Sequence, residues 1–137
     1  MNVAIVGCRE FSDYDKFCNV VNKILSLDEY QETSDFRIIS GGARGTDTMA
    51  EEYAEKSLMS KEIIRPDNEK YGFKYAPIVR NTEIARKCDI MISFWDGKGN
   101  GTKDVTLKGI CHNKTTYIYF FKHDRCMVVD GCHDIDL

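Results

Sequence analysis

The chain has 137 residues, a formal net charge of −3, and a composition that is 42% hydrophobic and 30% charged. These values are typical of one soluble globular domain, and no apolar run approaches the length that spans a bilayer. The acidic balance argues against general affinity for DNA or membranes, because nonspecific phosphate binding needs a basic surface. An anionic ligand would therefore have to be held by local positive groups.

The N-terminus leads directly into the apolar run 3–6 and lacks the basic start and small-residue cleavage site of a signal peptide. We therefore expect a cytoplasmic location, where cysteines are reduced. The chain contains six cysteines. Cys8, Cys18, Cys88 and Cys111 lie among apolar neighbours, which predicts thiols in the core rather than disulfides.

Strand-like and helix-like segments alternate along the chain. The predicted strands are 2–6, 36–39, 62–64, 89–95 and 115–121. The predicted helices are 13–27, with Ser12 and Asp15 at capping-box spacing, then 46–58, a third helix with Pro77 in its first turn and its end at Lys87, and 102–111. The polar segments 28–35 and 65–75 are predicted loops. This alternation predicts a doubly wound α/β fold, a mainly parallel five-stranded sheet with helices on both faces. Residues 1–121 would form the domain and residues 122–137 a short C-terminal extension of it.

A glycine-rich turn joins the second strand to the second helix over residues 40–47, with the sequence SGGARGTD. Its glycines let the main chain approach a ligand closely, and the start of a helix offers unpaired N–H groups to an anion. Arg44 adds a positive charge and Thr46 a hydroxyl group. The segment therefore predicts a phosphate or carboxylate cradle. The alternative is a tight turn in which Thr46 only caps the helix.

Two further turns, at 7–11 and 96–102, also follow predicted strands. In doubly wound sheets, ligands bind outside the carboxyl ends of the strands. We therefore expect all three turns to meet at one edge and to bring Arg9, Arg44 and Lys98 into one crevice.

Four ordered motifs resemble those of the YspA-like branch of the SLOG superfamily. They are GCREF at 7–11, SGGARGTD at 40–47, Arg80-Asn81, and FWDG at 94–97 followed by Gly101-Thr102. The resemblance covers roughly residues 2–121. It implies a Rossmann-like fold that binds nucleotides or nucleotide-derived ligands. Relatives include phosphoribohydrolases, sensors of ADP-ribose-type signals, and a DNA-processing protein that holds single-stranded DNA.

One departure bears on catalysis. The phosphoribohydrolases carry Pro-Gly-Gly-x-Gly-Thr with a glutamate two or three positions beyond the threonine, whereas those positions here hold Thr48 and Met49. This departure favours a binding module, a sensor or scavenger, over a nucleotide N-glycosidase, and the negative net charge disfavours a single-stranded nucleic-acid binder. If the protein is an enzyme, the candidate catalytic carboxylates are Asp47, Glu51 and Asp96.

The candidate ligand-binding residues lie in these motifs. They are Gly7, Arg9, Gly41, Gly42, Arg44, Gly45, Thr46, Asp47, Arg80, Asn81, Trp95, Asp96, Gly101 and Thr102. The arginines would bind phosphate, with surface ion pairs as the alternative. Asn81 would bond a ribose or base edge, or else a loop carbonyl. Trp95 would stack on a base, or else cover the core.

Asp47 and Asp96 beside bound phosphates would also suit Mg²⁺, and an ordinary turn or cap role is the alternative. No other cofactor is predicted.

The tail holds His123, Cys126 and the pair Cys132 and His133 without the paired spacing of a zinc knuckle, so no metal site is predicted there. The tail would pack on a sheet edge or form the contact of a homo-oligomer. The expected partner is a nucleotide-derived small molecule rather than nucleic acid or a membrane.

Overall fold

The structure, a computed structural model, describes residues 1–130. The strands are β1 (Asn2–Gly7), β2 (Arg37–Ser40), β3 (Ser60–Ile63), β4 (Ile90–Trp95), β5 (Thr115–Phe120) and β6 (Arg125–Val129). The helices are α1 (Tyr14–Leu25), α2 (Thr46–Lys56), α3 (Asn68–Lys87) and α4 (Asn100–Cys111), with a short 3₁₀ helix at Asp28–Tyr30.

The strands form one sheet in the order β3-β2-β1-β4-β5-β6. All neighbouring pairs are parallel except β5 and β6, which run antiparallel. The predicted doubly wound α/β class is confirmed, and the fold is consistent with a Rossmann-like protein. The prediction of five strands was one short, because the segment after β5 turns back and pairs Val129 with Thr116. The first part of the tail thus packs on a sheet edge, one of the two arrangements expected for it.

Both faces of the sheet are covered, because successive residues of a strand point to opposite sides. Val3 and Ile5 of β1 belong to the core under α1 and α2, whereas Ala4 and Val6 belong to the core under α3 and α4. The first core contains Phe17 of α1, whose ring centroid lies 4.9 Å from that of Phe94 in β4. Burying a side chain of this size stabilises the fold by about 1.5–3 kcal/mol. The continuous apolar runs of β1 and β4 follow from this double coverage.

Three helix starts differ from the prediction. α4 begins at Asn100 rather than at residue 102. Asp13, not Ser12, caps α1, because its carboxylate accepts a hydrogen bond from the backbone N–H of Lys16 at 3.1 Å. α3 begins at Asn68, so most of the predicted loop 65–75 is helical. The carboxylate of Asp67 caps this helix by accepting from the N–H of Lys70.

α3 is divided at Gly72, whose φ of 77° and ψ of 159° are not helical. The break places Pro77 near the N-terminal end of the second part of the helix. A missing N–H group disrupts few helical hydrogen bonds there. Pro77 therefore lies inside α3, nine residues after its start and five after the break, so the prediction that it stands in the first turn of the helix was wrong.

The cysteines within residues 1–130 are free, and Cys8 and Cys88 are buried. Cys111 is exposed, so the prediction that it lies in the core was wrong. Cys132 and His133, considered above as metal ligands, lie outside the described residues. Within the described part of the chain, no group of three or more His, Cys, Asp or Glu side chains is placed to hold a metal ion. None of the described helices is long and apolar enough to cross a membrane.

Candidate functional site

A cavity of about 320 Å³ opens at the carboxyl edge of the sheet. It lies where β1 and β4 are neighbours and their connections leave in opposite directions, which is where doubly wound folds bind ligands. Its size falls in the range of small-molecule sites. The lining comes from the end of β1, the turn before α2, one face of α3 and the start of α4: Val6, Gly7, Cys8, Arg9, Glu10, Gly41, Ala43, Asp47, Pro77, Arg80, Asn81, Ile84, Gly99, Gly101, Thr102 and Val105.

The cavity brings together part of the predicted site. The candidate residues in its lining are Gly7, Arg9, Gly41, Asp47, Arg80, Asn81, Gly101 and Thr102. Those outside it are Gly42, Arg44, Gly45, Thr46, Trp95 and Asp96. The three turns do meet at one edge, but of the three cations expected there only Arg9 lines the cavity. Arg44 and Lys98 are exposed elsewhere, and Arg80 of α3 supplies the second cation.

Arg80 is held against the backbone of the glycine turn. Its Nη1 donates a hydrogen bond to the carbonyl oxygen of Gly41, and its Nε donates to Oδ1 of Asn81 at 3.0 Å. A Cβ atom at position 41 would lie 2.7 Å from Nη1 of Arg80, so the guanidinium can occupy this position only beside a glycine. Burial lowers the pKa of Arg80, and the guanidinium still carries its charge at neutral pH. The site therefore contains a fixed, partly buried positive charge.

Asn81 links Arg80 to residues of α4. Its Nδ2 donates to Oδ2 of Asp104 at 2.9 Å, and the same oxygen accepts from Nζ of Lys108 at 2.9 Å. Both ends of the Asn81 amide thus bond protein groups. In this arrangement Asn81 joins α3 to α4 and orients Arg80, which differs from both roles considered for it in the sequence.

Asp47 is the acid of the cavity, and its side chain is buried. Burial raises the pKa of Asp47 to about 6, although the N–H of Ala43, which donates to Oδ2 at 3.1 Å, and the charges of Arg80 and Arg9 act in the opposite direction. Neighbouring Glu51 raises this pKa further. Asp47 therefore changes protonation near neutral pH, as the acid–base groups of many active sites do.

The other two candidate carboxylates are engaged elsewhere. Glu51 accepts a hydrogen bond from the Ser40 hydroxyl at 3.0 Å. Asp96 accepts from the backbone N–H groups of Lys98 and Gly99, both at 2.8 Å, and these bonds lower the pKa of Asp96. Asp96 thus shapes the turn that leads into α4, and Asp47 is the candidate that lines the cavity.

The first turn of α4 faces the cavity through Gly101 and Thr102. The first N–H groups of a helix have no partner within it and carry a partial positive charge. A Cβ atom placed on Gly101 would meet no atom within 4 Å, so the approach to this helix end is open. The Thr102 hydroxyl lies 3.6 Å from Sγ of Cys8, whose pKa is raised by burial.

Gly45 and Thr46 build the turn itself. Gly45 has a φ of 75°, and a Cβ atom there would lie 2.2 Å from the carbonyl oxygen of Arg9, so only glycine fits. The Thr46 hydroxyl donates to the carbonyl oxygen of Cys8 at 2.9 Å. These contacts hold the turn before α2 against the turn after β1. Trp95 has a comparable structural contact, because its Nε1 donates to the carbonyl oxygen of Gly99 at 3.0 Å.

Several lining residues were not predicted, among them Cys8, Glu10, Pro77, Ile84 and Val105. Cys8 and Glu10 flank Arg9 in the turn at 7–11. Their position next to Arg9 in the sequence could therefore have identified them as lining residues. The remaining three stand three or four residues from Arg80 or Thr102 on a helix, which is the spacing of one helical face.

Fold and cavity together define a Rossmann-like α/β protein with a charged cavity at the switch point of its sheet. The family model of DNA recombination-mediator protein A matches residues 1–62, and this match supports the resemblance of the chain to the SLOG superfamily. The matched part includes two of the four motifs, at 7–11 and 40–47. A search of the curated proteins and a search of the solved structures each found no match.

Proposed function

We propose that the protein binds a phosphorylated nucleoside or an ADP-ribose-like ligand in this cavity, as a sensor or scavenger. The observation that carries the proposal is the Arg80 guanidinium, fixed at Gly41 inside a cavity that the open start of α4 also faces. A guanidinium forms strong charge-assisted hydrogen bonds with phosphate, and helix N-termini bind anions through their free N–H groups.

The remaining lining suits the uncharged part of such a ligand. Pro77, Ile84 and Val105 supply apolar contact, while the Asp47 carboxylate is an acceptor for sugar hydroxyl groups. Arg9 is exposed at the rim, where its charge would favour the approach of an anion. On the order of the four sequence motifs, we further assign the chain to the YspA-like branch of the superfamily.

Two other functions each have one observation in their favour. The match to the model of DNA recombination-mediator protein A favours single-stranded nucleic-acid binding. The cavity-lining Asp47, with its pKa raised to about 6, favours hydrolysis of a nucleotide, because an acid–base catalyst works best when its pKa lies near the working pH. We rank both below ligand binding, since the net charge is −3 and the other candidate carboxylates are engaged in turns and hydrogen bonds.

Mass spectrometry of small molecules released from the denatured, purified protein tests the proposal without a prior choice of ligand. Calorimetry with AMP, ADP-ribose and a short oligothymidylate then compares nucleotide binding with single-stranded nucleic-acid binding. We expect a nucleotide-type molecule to be released or bound with a stoichiometry of one. Tight binding of the oligonucleotide together with no binding of either nucleotide would overturn the proposal.

A further inference from the structure

One face of α3 extends past the cavity. Pro77, Arg80 and Ile84 line the cavity at spacings of three and four residues, so they share a face of the helix. The same stripe, continued four residues toward the N-terminus, reaches Phe73, the first residue after the break at Gly72. Phe73 therefore stands on the cavity-lining face, about 6 Å along the helix axis from Pro77.

The N-terminal end of α3, residues 68–75, is exposed. The helix follows β3 in a parallel crossover, so its N-terminal end starts at the carboxyl edge of the strands, where the cavity opens. Phe73 is 83% exposed. The neighbouring rings of Tyr71 and Tyr75 instead each lie within reach of an adjacent lysine, at 5.2 Å from Nζ of Lys70 and 5.6 Å from Nζ of Lys74. The most exposed ring of this segment is thus the one on the side of the cavity.

We propose that Phe73 is the surface on which the base of the ligand stacks while its phosphate is bound by Arg80. This inference rests on the function proposed above and specifies the ligand as a nucleoside phosphate with a planar base. The two residues are separated by about 10 Å along the helix axis. A guanidinium–phosphate contact and one sugar bridge that gap, which leaves the base beside the ring.

Stacking also determines how selective the site is. Every base has a π-face, so an aromatic platform accepts different bases with similar strength. We therefore expect Phe73 to contribute to affinity for nucleotides in general, with little preference for one base. A sugar phosphate that lacks a base would gain nothing from Phe73.

The test compares ligands with and without a base. AMP, GMP, CMP, UMP and ADP-ribose are titrated into the full-length protein by calorimetry, and the tightest of them is compared with ribose 5-phosphate. Phe73→Ala should weaken the affinity for the nucleotide about 5- to 150-fold, the range that base–aromatic stacking supports, and leave the affinity for ribose 5-phosphate unchanged. Phe73→Tyr should retain nucleotide affinity. Ile78→Ala, which removes another exposed apolar side chain of α3 outside the stripe, is the matched control.

The outcomes separate the two proposals. If none of the five nucleotides binds the wild-type protein, the proposed function and this inference both fall. If Arg80→Ala loses nucleotide binding while Phe73→Ala retains it, the cavity binds the ligand but Phe73 is not its platform. Size-exclusion chromatography covers the remaining case: a wild-type dimer that becomes a monomer in Phe73→Ala, with nucleotide affinity unchanged, would make Phe73 a contact between two copies of the chain and overturn the inference.

Discussion

Asp47 and Arg80 face the same point of the backbone. A methyl group at Gly41 would lie 2.9 Å from Oδ2 of Asp47 and 2.7 Å from Nη1 of Arg80. The glycine thus allows a buried acid and a partly buried cation to stand side by side in the cavity. Their pKa values move in opposite directions, since burial disfavours the charge of each.

Replacing Gly41 with alanine should disturb both groups. The added methyl group must displace the Arg80 guanidinium, which then loses its bond to the Gly41 carbonyl. We expect only a small loss of stability, because the atoms that must move are the ends of two side chains rather than backbone, together with loss of nucleotide binding. Thermal unfolding and calorimetry measure the two effects. Gly101→Ala, which meets no atom within 4 Å, is the control for stability, and an equal loss in both variants would contradict this explanation.

Arg80→Ala should weaken binding of AMP or ADP-ribose by about 1.5–3 kcal/mol, because a charged hydrogen bond to phosphate is lost. Arg86→Ala removes an exposed arginine from the same helix and should leave affinity unchanged. Arg44→Ala should have a smaller effect than Arg80→Ala, since Arg44 lies outside the cavity lining. Isothermal titration of the three folded variants decides the order. A larger loss of affinity in Arg44→Ala would show that the glycine-rich turn, rather than Arg80, binds the phosphate.

Asp47→Asn should change how stability depends on pH. The pKa of Asp47 is raised from 3.8 to about 6 in the folded protein, so the folded state binds the proton more tightly than the unfolded chain. The contribution of Asp47 protonation to the free energy of unfolding is therefore fully present below about pH 4 and is lost as the pH rises through about 6. The total loss is about 3 kcal/mol, at 1.36 kcal/mol per unit of pKa shift. Asparagine stays neutral, so the variant should be more stable than wild type at pH 7 by about 1–3 kcal/mol, with the difference vanishing near pH 4.

Urea unfolding of both proteins at pH 4, 5, 6 and 7 measures that difference. The asparagine side-chain oxygen can still accept from the N–H of Ala43, so the turn should keep its hydrogen bond. A stability difference that stays the same at all four pH values would show that Asp47 does not titrate in this range.

The protein should release little or no free base from nucleoside monophosphates. Thr48 and Met49 occupy the positions of the glutamate in the related hydrolases, and Glu51 is bonded to Ser40. Even about 1 Å of misplacement of a catalytic group can cost on the order of a hundredfold in rate. Chromatography after prolonged incubation tests this. Turnover that disappears in Asp47→Asn would establish a hydrolase and identify its acid–base group.

The sequence by itself determined the doubly wound arrangement of the five parallel strands and the edge at which the cavity opens, but not the antiparallel β6. The apolar runs of β1 and β4 indicate strands covered on both faces, and alternation with helices indicates parallel pairing. Because parallel strands end at a common edge, the glycine turns after them had to come together there. These conclusions follow from local patterns and need no knowledge of individual contacts.

Only the tertiary structure decided which charged groups face the cavity. Arg44 and Arg80 both occur in polar motifs, yet Arg44 lies on an exposed turn and Arg80 on the face of α3 that packs over Gly41. A turn has no periodicity from which the direction of a side chain can be read, whereas a helical face has one only after its start is known. The start of α3 depended on the Asp67 cap and the break at Gly72. The pKa of Asp47 likewise depends on burial by segments distant in the chain, because desolvation is a property of the packed structure.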